Sequence, residues 1–245
     1  MTEVTGADAI PFLQGLLSND VLPLTKLPGI IWAALLTPQG KYLADFFVVQ
    51  TGQMLVLDMP EDQADASLRR LAMYRLRADV QLTPAALHVT RGLNDAPQGA
   101  FTDPRHAALG WRLYSAAALV EAPVDWDAIR VEHLIPQSAV ELRSDDSYIL
   151  ENGFERLHGV DFRKGCYVGQ EVTARMKHKT ELRKGLTRLR IEGSAPIGTE
   201  ILSDGKPSGL LFTQSGGRAL AYMRFDRLTG ALTAQGATLH AEEPV

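Results

Sequence analysis

Apolar positions first recur at helical spacing near the N-terminus, where Ile10, Leu13, Leu16 and Leu17 follow Asp8, a residue type suited to capping. Ser18-Asn19-Asp20 ends that helix. A turn at Pro38-Gln39-Gly40 leads into Tyr42 to Gln50, dense in aromatic and β-branched residues, and this texture predicts a strand. Thr51-Gly52-Gln53 reads as a hairpin connection and Met54 to Leu57 as the returning strand. Asp58 and Glu61 stand at capping-box-like spacing, with Pro60 in the first turn. Behind them Ala64, Leu68, Leu71 and Ala72 recur at i, i+4, i+7 and i+8, the core stripe of an amphipathic helix. Leu76 to Leu82 then alternates as a strand. The order strand, strand, helix, strand makes the N-terminal part α+β.

From Pro84 to Gly110 turn residues crowd together and no element is predicted. A helix is expected behind Asp125, running to Ile135 and stopped by Pro136. Past about residue 180 the texture changes. Short apolar runs (Leu186 to Ile191, Gly209 to Phe212, Leu220 to Arg224, Ala237 to His240) alternate with turn signals such as Asp204-Gly205 and Gly216-Gly217. That spacing predicts a small all-β barrel or sandwich. We therefore divide the chain into an α+β region over 1–178 and an all-β region over 179–245; the family resemblance described below implies two interleaved subdomains in the first and a β-barrel for the second.

Composition narrows the function classes. Apolar residues make up 45% and charged residues 22% of 245, an ordinary globular balance. A formal charge of -4 gives no global case for nucleic acid. The single cysteine excludes an intrachain disulfide and a multi-cysteine zinc site. The six histidines show no metal-ligand spacing, and no metal site is expected. No apolar run approaches the roughly 20 residues needed to span a bilayer. The first residues lack the features of a secretory signal or transit peptide, so the expected location is the cytoplasm.

Chemistry concentrates in Arg163-Lys164-Gly165-Cys166-Tyr167-Val168-Gly169-Gln170-Glu171. Two cations precede the only thiol and a helix is expected to start after Gly169, running through Arg175. Both features favour thiolate over thiol. On residue type alone Cys166 reads equally well as a small, inert core residue.

Lys164 to Glu171 resembles the signature of the YgfZ family of folate-binding proteins, relatives of the aminomethyltransferase (T-protein) of the glycine cleavage system. Phe12-Leu13-Gln14-Gly15 with Ser18-Asn19-Asp20-Val21, Met73-Tyr74-Arg75-Leu76-Arg77, and Arg130-Val131-Glu132 with Ile135-Pro136-Gln137 resemble further stretches of the family. The resemblance implies an α+β fold: an aminomethyltransferase-like region with ferredoxin-like strand–helix units, then a small C-terminal β-barrel. It implies a tetrahydrofolate ligand and support of iron–sulfur cluster assembly or repair, together with a tRNA modification that depends on such an enzyme. The implied partners are folate and iron–sulfur client or assembly proteins.

By the same resemblance Cys166 is a functional thiol, and Glu132, in apolar surroundings, binds the pterin; on residue type alone Glu132 also reads as an exposed helix-surface acid or an ion-pair partner of Arg130. Lys164, Gln170, Asn19, Asp20 and Asp58 are carried over as further ligand contacts; Asp58 also reads as a helix cap and Asn19-Asp20 as a plain turn. Asp45 stands where the transferases carry an acidic pair, with Ala44 in place of the other acid. An aminomethyl or one-carbon transferase is thus the alternative function, with Asp45 as its acid. Arg175 to Arg190 holds seven basic residues against Glu181 alone. Arg175 suits the γ-glutamate tail of folate; the run also reads as a solvated edge or a tRNA contact, without aromatic residues for base stacking.

Overall fold

The computed structural model describes residues 1–179 and 181–242. The expected boundary after residue 178 abuts Thr180, and the end of the expected barrel, 243–245, also lies outside the described residues.

Five strands form the first sheet: β1 (Thr2–Thr5), β2 (Gly29–Leu36), β3 (Tyr42–Gln50), β4 (Leu55–Asp58) and β5 (Gln81–Pro84), in the order β2-β3-β4-β1-β5. From Trp32 to Leu36 of β2 and from Ala44 to Val49 of β3 every residue is buried. The physical reason is that both faces are covered. Ala33, Leu35, Ala44, Phe46 and Val48 face α1 (Ala9–Leu16) and α2 (Glu61–Arg75), whereas Trp32, Ala34, Leu36, Phe47 and Val49 face the middle of the chain. A strand buried on both faces loses its polar alternation and reads as a continuous apolar run.

The expected hairpin, its strands and α2 are present, with three corrections. Asp58 does not cap α2: Pro60 occupies the cap and no side chain bonds the free amides. The buried residues of α2 are Ser67 and Leu71, while Ala72 is exposed. Leu76 has φ 43° and stands exposed, so residues 76–80 are a turn and the strand begins only at Gln81. Its partner is β1, not the hairpin.

The stretch without predicted elements contains a three-stranded sheet of β6 (His88–Gly92), β7 (Phe101–Thr102) and β8 (Trp111–Ser115), ordered β6-β8-β7. Next come α3 (Trp126–His133) and α4 (Gln170–Lys179). Asp125 caps α3 by accepting from the Ala128 amide at 2.9 Å, and Leu134 ends it in the left-handed region.

A closed barrel follows, made of β9 (Lys184–Glu192), β10 (Glu200–Ser203), β11 (Lys206–Ser215), β12 (Arg218–Arg224), β13 (Leu232–Ala234) and β14 (Ala237–Ala241). Leu189 and Ile191 point inward from β9 while Arg188 and Arg190 alternate with them. Closure leaves no open sheet edge. Val131 of α3 packs on Phe212 and Leu220, joining the barrel to the rest. Beside that contact the Arg130 guanidinium donates to Glu141 at 3.0 Å and to the Thr213 hydroxyl at 2.8 Å. Among the described residues no helix is long and apolar enough to cross a membrane.

Candidate functional site

The face of the first sheet turned toward β6, β8 and α3 is not closed by apolar packing throughout. A cavity of about 410 Å³ remains, lined by Asp45 and Phe47 of β3, Asp58 of β4, Arg91 of β6, Arg112 of β8, and Trp126 and Arg130 of α3, with Arg105, Glu121, Leu109 and Ser138 from connecting segments. Two larger clefts, of about 510 and 1010 Å³, lie against the barrel. Their charges include exposed pairs such as Arg143–Asp146 and Arg224–Asp226. Exposed pairs of this kind contribute little and are screened by water. The smaller cavity differs in that Asp45, Asp58, Arg112 and Arg130 of its lining are all buried.

Phe47 and Asp58 are register partners on adjacent strands, so both point into the cavity. The Arg112 guanidinium lies 4.0 Å from the Phe47 ring centre and donates to Asp58 at 2.6 Å. Tyr114 donates to the same carboxylate oxygen at 2.9 Å. Arg105 grips Asp103 through two nitrogens, at 3.0 and 2.8 Å, and Arg112 reaches Asp103 from the other side at 3.6 Å. Burial alone would pull the Arg112 cation down, but Tyr114, Asp58 and Asp103 outweigh it and hold its pKa above the ordinary value. Burial likewise pushes the Asp103 carboxyl up, and Arg105 and Arg112 reverse that, leaving it below the usual range. Burial, with Asp58 beside it, keeps the Tyr114 phenol far above its ordinary pKa and therefore a donor.

Asp45 sits on the cavity wall and is saturated. One oxygen accepts from the Tyr42 phenol at 2.6 Å and from the Ser138 hydroxyl; the other accepts from the Trp32 indole at 2.8 Å. A carboxylate holding three fixed donors is an organiser of β2, β3 and the segment at Ser138 rather than a free base. Burial and Asp45 raise the Tyr42 phenol well above its ordinary range.

Of the sequence candidates, only Asp45 and Asp58 line this cavity. Glu132 is corrected: it is not in apolar surroundings but half exposed, paired with Arg188 at 3.1 Å and with Arg218, on the side of α3 facing the barrel. Arg175 stands exposed on α4 in a 3.0 Å pair with Glu171. Asn19 donates to the carbonyls of Trp32 and His158, and Asp20 accepts from Gln14 and from the Leu22 amide. Gln170 is the first residue of α4.

Lys164 is buried, and its ammonium donates to the carbonyls of Gln14, Leu17 and Asn19 at 2.8, 2.6 and 2.8 Å. All three donors are thereby spent on the end of α1, where carbonyls lack helical partners. Burial pushes its pKa down to about 8, against the pull of Asp20 and Asp161. Two residues on, Cys166 is exposed, which overturns its reading as a core residue. The thiol thus sits on a surface loop pinned on one side by Lys164 and on the other by buried Tyr167.

The cavity arginines Arg91, Arg105 and Arg112 were missed because they lie in or beside the stretch where turn residues hid short strands. The alternation in Trp111-Arg112-Leu113-Tyr114 was the available signal. In the basic run, Arg175, Lys177, Arg188 and Arg190 are all engaged in ion pairs. Among the described residues no group of His, Cys, Asp and Glu could hold a metal.

The architecture is that of a known class. Over 98% of its length the chain superposes on the crystal structure of glycine cleavage system aminomethyltransferase T from Bartonella henselae, with a TM-score of 0.69, covering 82% of that protein. The identity is 14%, so this likeness establishes the fold: an aminomethyltransferase-like α+β region followed by a closed barrel. Residues 183–245 match the family model described as CAF17, C-terminal beta-barrel domain.

Sequence similarity is more particular. The chain is 29% identical over 277 residues to the mitochondrial iron–sulfur cluster assembly factor IBA57 of Mus musculus, covering 95% of this chain and 77% of that protein. For the Homo sapiens protein of the same name the figures are 29% over 274 residues, with the same coverages. The mitochondrial IBA57 homolog of Mycosarcoma maydis is 32% identical over 219 residues, covering 77% of this chain; the chain spans only 54% of that relative's length. These relatives are named mitochondrial, which overturns the cytoplasmic expectation. That expectation rested on the composition of the first residues, which reports on a leader and not on a compartment.

Proposed function

We propose that this chain is an accessory factor for iron–sulfur cluster assembly, that its arginine-lined cavity takes a tetrahydrofolate, and that Cys166 is the thiol it offers to a partner. The observation that carries the first part is the alignment of 95% of the chain with mammalian proteins named iron–sulfur cluster assembly factor IBA57. The motif from Lys164 to Glu171 supports the finer assignment to the YgfZ family.

The cavity suits the proposed ligand. Its volume of about 410 Å³ falls in the range of small-molecule pockets, and Phe47, Val89, Leu109 and Trp126 give it an apolar wall. Its arginines suit carboxylates. When bound, a tetrahydrofolate supplies a carrier for one-carbon units. Asp45, committed to three donors, is poorly placed to move a proton on such a unit, which favours binding over aminomethyl transfer.

Cys166 alone cannot hold a cluster, because clusters are held by several ligands, typically four. Its exposure favours a shared site completed by a second protein. A tRNA modification performed by an iron–sulfur enzyme would fail downstream, without any contact between this chain and tRNA.

The test uses cells lacking this protein and complemented with wild type or Cys166→Ser, with the activity of an endogenous iron–sulfur enzyme measured in extracts. The serine variant should accumulate normally yet leave the enzyme at the level of uncomplemented cells. Full activity with serine would remove the thiol from the reading, and full activity without any complementation would remove the assembly role.

A further inference from the structure

Four arginines line the cavity, and the fold neutralises three of them. Arg105 has Asp103, Arg112 has Asp58 and Asp103, and Arg130 has Glu141 and Asp127. The Arg91 guanidinium makes no hydrogen bond or ion pair with any described residue. Its Cζ lies over the Trp126 ring, 4.3 Å from the ring centre. Glu121 comes near, but one of its oxygens is occupied by the Arg91 backbone amide at 2.8 Å.

The register makes this more telling. Arg91 of β6 stands directly opposite Arg112 of β8, and like charges facing each other across a ladder are destabilising. Burial first, then Arg112 and Arg105, disfavour the Arg91 cation; Glu121 and Asp103 oppose them without reversing the net downward shift. A guanidinium does not escape by losing its proton at neutral pH. A half-buried cation in this position is stabilised by an anion, and among the described residues no carboxylate forms an ion pair with its guanidinium; Glu121 and Asp103 act on it only from nearby.

We propose that Arg91, oriented by Trp126, is the carboxylate anchor of the cavity, so that its ligand is a small molecule bearing at least one carboxylate. This rests on the reading of the cavity as a folate site and deepens it: Arg91 takes the part that the sequence suggested for Arg175. Contact with the Trp126 ring restrains the guanidinium, and a guanidinium carries parallel N–H donors in the geometry a carboxylate accepts.

The experiment is calorimetric titration of wild type, Arg91→Leu, Arg91→Lys and Trp126→Leu with three probes: 5-formyltetrahydrofolate, p-aminobenzoylglutamate, which keeps the carboxylates without the pterin, and tetrahydropterin, which lacks them. Circular dichroism checks that each variant is folded. Arg91→Leu should weaken the two carboxylate probes by about 10–100-fold, the worth of a charge-assisted pair. Arg91→Lys, which keeps the charge but not the fork, should fall between. Trp126→Leu should also fall between, because it frees the side chain without removing it. Tetrahydropterin should bind all four proteins alike.

The outcomes separate the two ideas. Unchanged binding of the folate by Arg91→Leu overturns the anchor and leaves the folate reading intact. Arg91-dependent binding of p-aminobenzoylglutamate by a wild type that ignores both pterins sinks the folate reading and keeps the anchor. A wild type that binds none of the three overturns both.

Discussion

The barrel and the region before it solve the problem of an interior in opposite ways. Inside the barrel Leu189, Ile191, Ile201, Leu211 and Leu239 meet one another, and the buried polar side chains between β9 and β14 are the small hydroxyls Thr199, Ser203, Ser208 and Thr213. Among the described residues every buried charged residue lies earlier: Asp45, Asp58, Asp103, Arg112, Arg130, Glu141, Glu151 and Lys164. Buried charges are weak contributors to stability, since desolvation offsets most of their attraction. Their concentration in one region therefore marks where the molecule accepts a cost to present chemistry. The barrel is the stable platform, and Arg130, Glu141 and Thr213 tie the charged layer to it.

This contrast can be broken most severely at Arg112. Arg112→Met fits the space of the stem but leaves Asp58 and Asp103 without their shared cation, and should cost about 3–5 kcal/mol in urea unfolding. It should also abolish ligand binding in the cavity. A loss below about 1 kcal/mol would mean that water compensates the two carboxylates. Leu211→Ala is the matching change in the barrel, where truncating a fully buried leucine should cost about 2–5 kcal/mol. Its expected signature is lowered stability with unchanged cavity affinity. A parallel loss of affinity would show that barrel and cavity are one coupled unit.

The smallest effect is a pH dependence confined to the first region. His106 and His133 stack with ring centres 4.2 Å apart, and the His106 Nδ1 accepts from the Ala108 amide at 3.1 Å. Burial, then His133 and Arg156, depress the His106 pKa, with Asp103 opposing. The unfolded chain therefore binds the proton more readily, and stability should fall as pH drops through the ordinary histidine range near ~6.5. His106→Gln keeps an acceptor for Ala108 and should flatten part of the decline between pH 7 and 5. Asp103 titrates below that window, because its pKa is depressed, and does not confuse the reading. Identical slopes in the two proteins would assign the decline to other groups.

Legibility followed the same division. Barrel strands such as Leu186 to Ile191 were visible because one side faces solvent and the other the interior, so the alternation survives in the sequence. The hairpin at Thr51 and the capped start of α3 were legible from local turn and cap chemistry. The strand β2 was missed because Gly29 to Leu36 is buried on both faces, and β6 to β8 because each is short and bounded by turn residues. The motif around Cys166 was visible as a motif, yet the cavity was not. Its walls come from β3, β4, β6, β8 and α3, and no local pattern joins Asp58 to Arg112.

The α+β character, an all-β C-terminal part and the uniqueness of Cys166 are written in the order of residues, because periodicity, turn residues and composition are local properties. What each polar group does was set by the fold. Lys164 became a clamp on α1, Glu132 a surface ion-pair partner of the barrel, and Arg91 a cation with no partner among the described residues. Whether a charge is an anchor, a strut or a site depends on which counter-charge the fold brings to it, and that is settled by contacts between residues far apart in the chain.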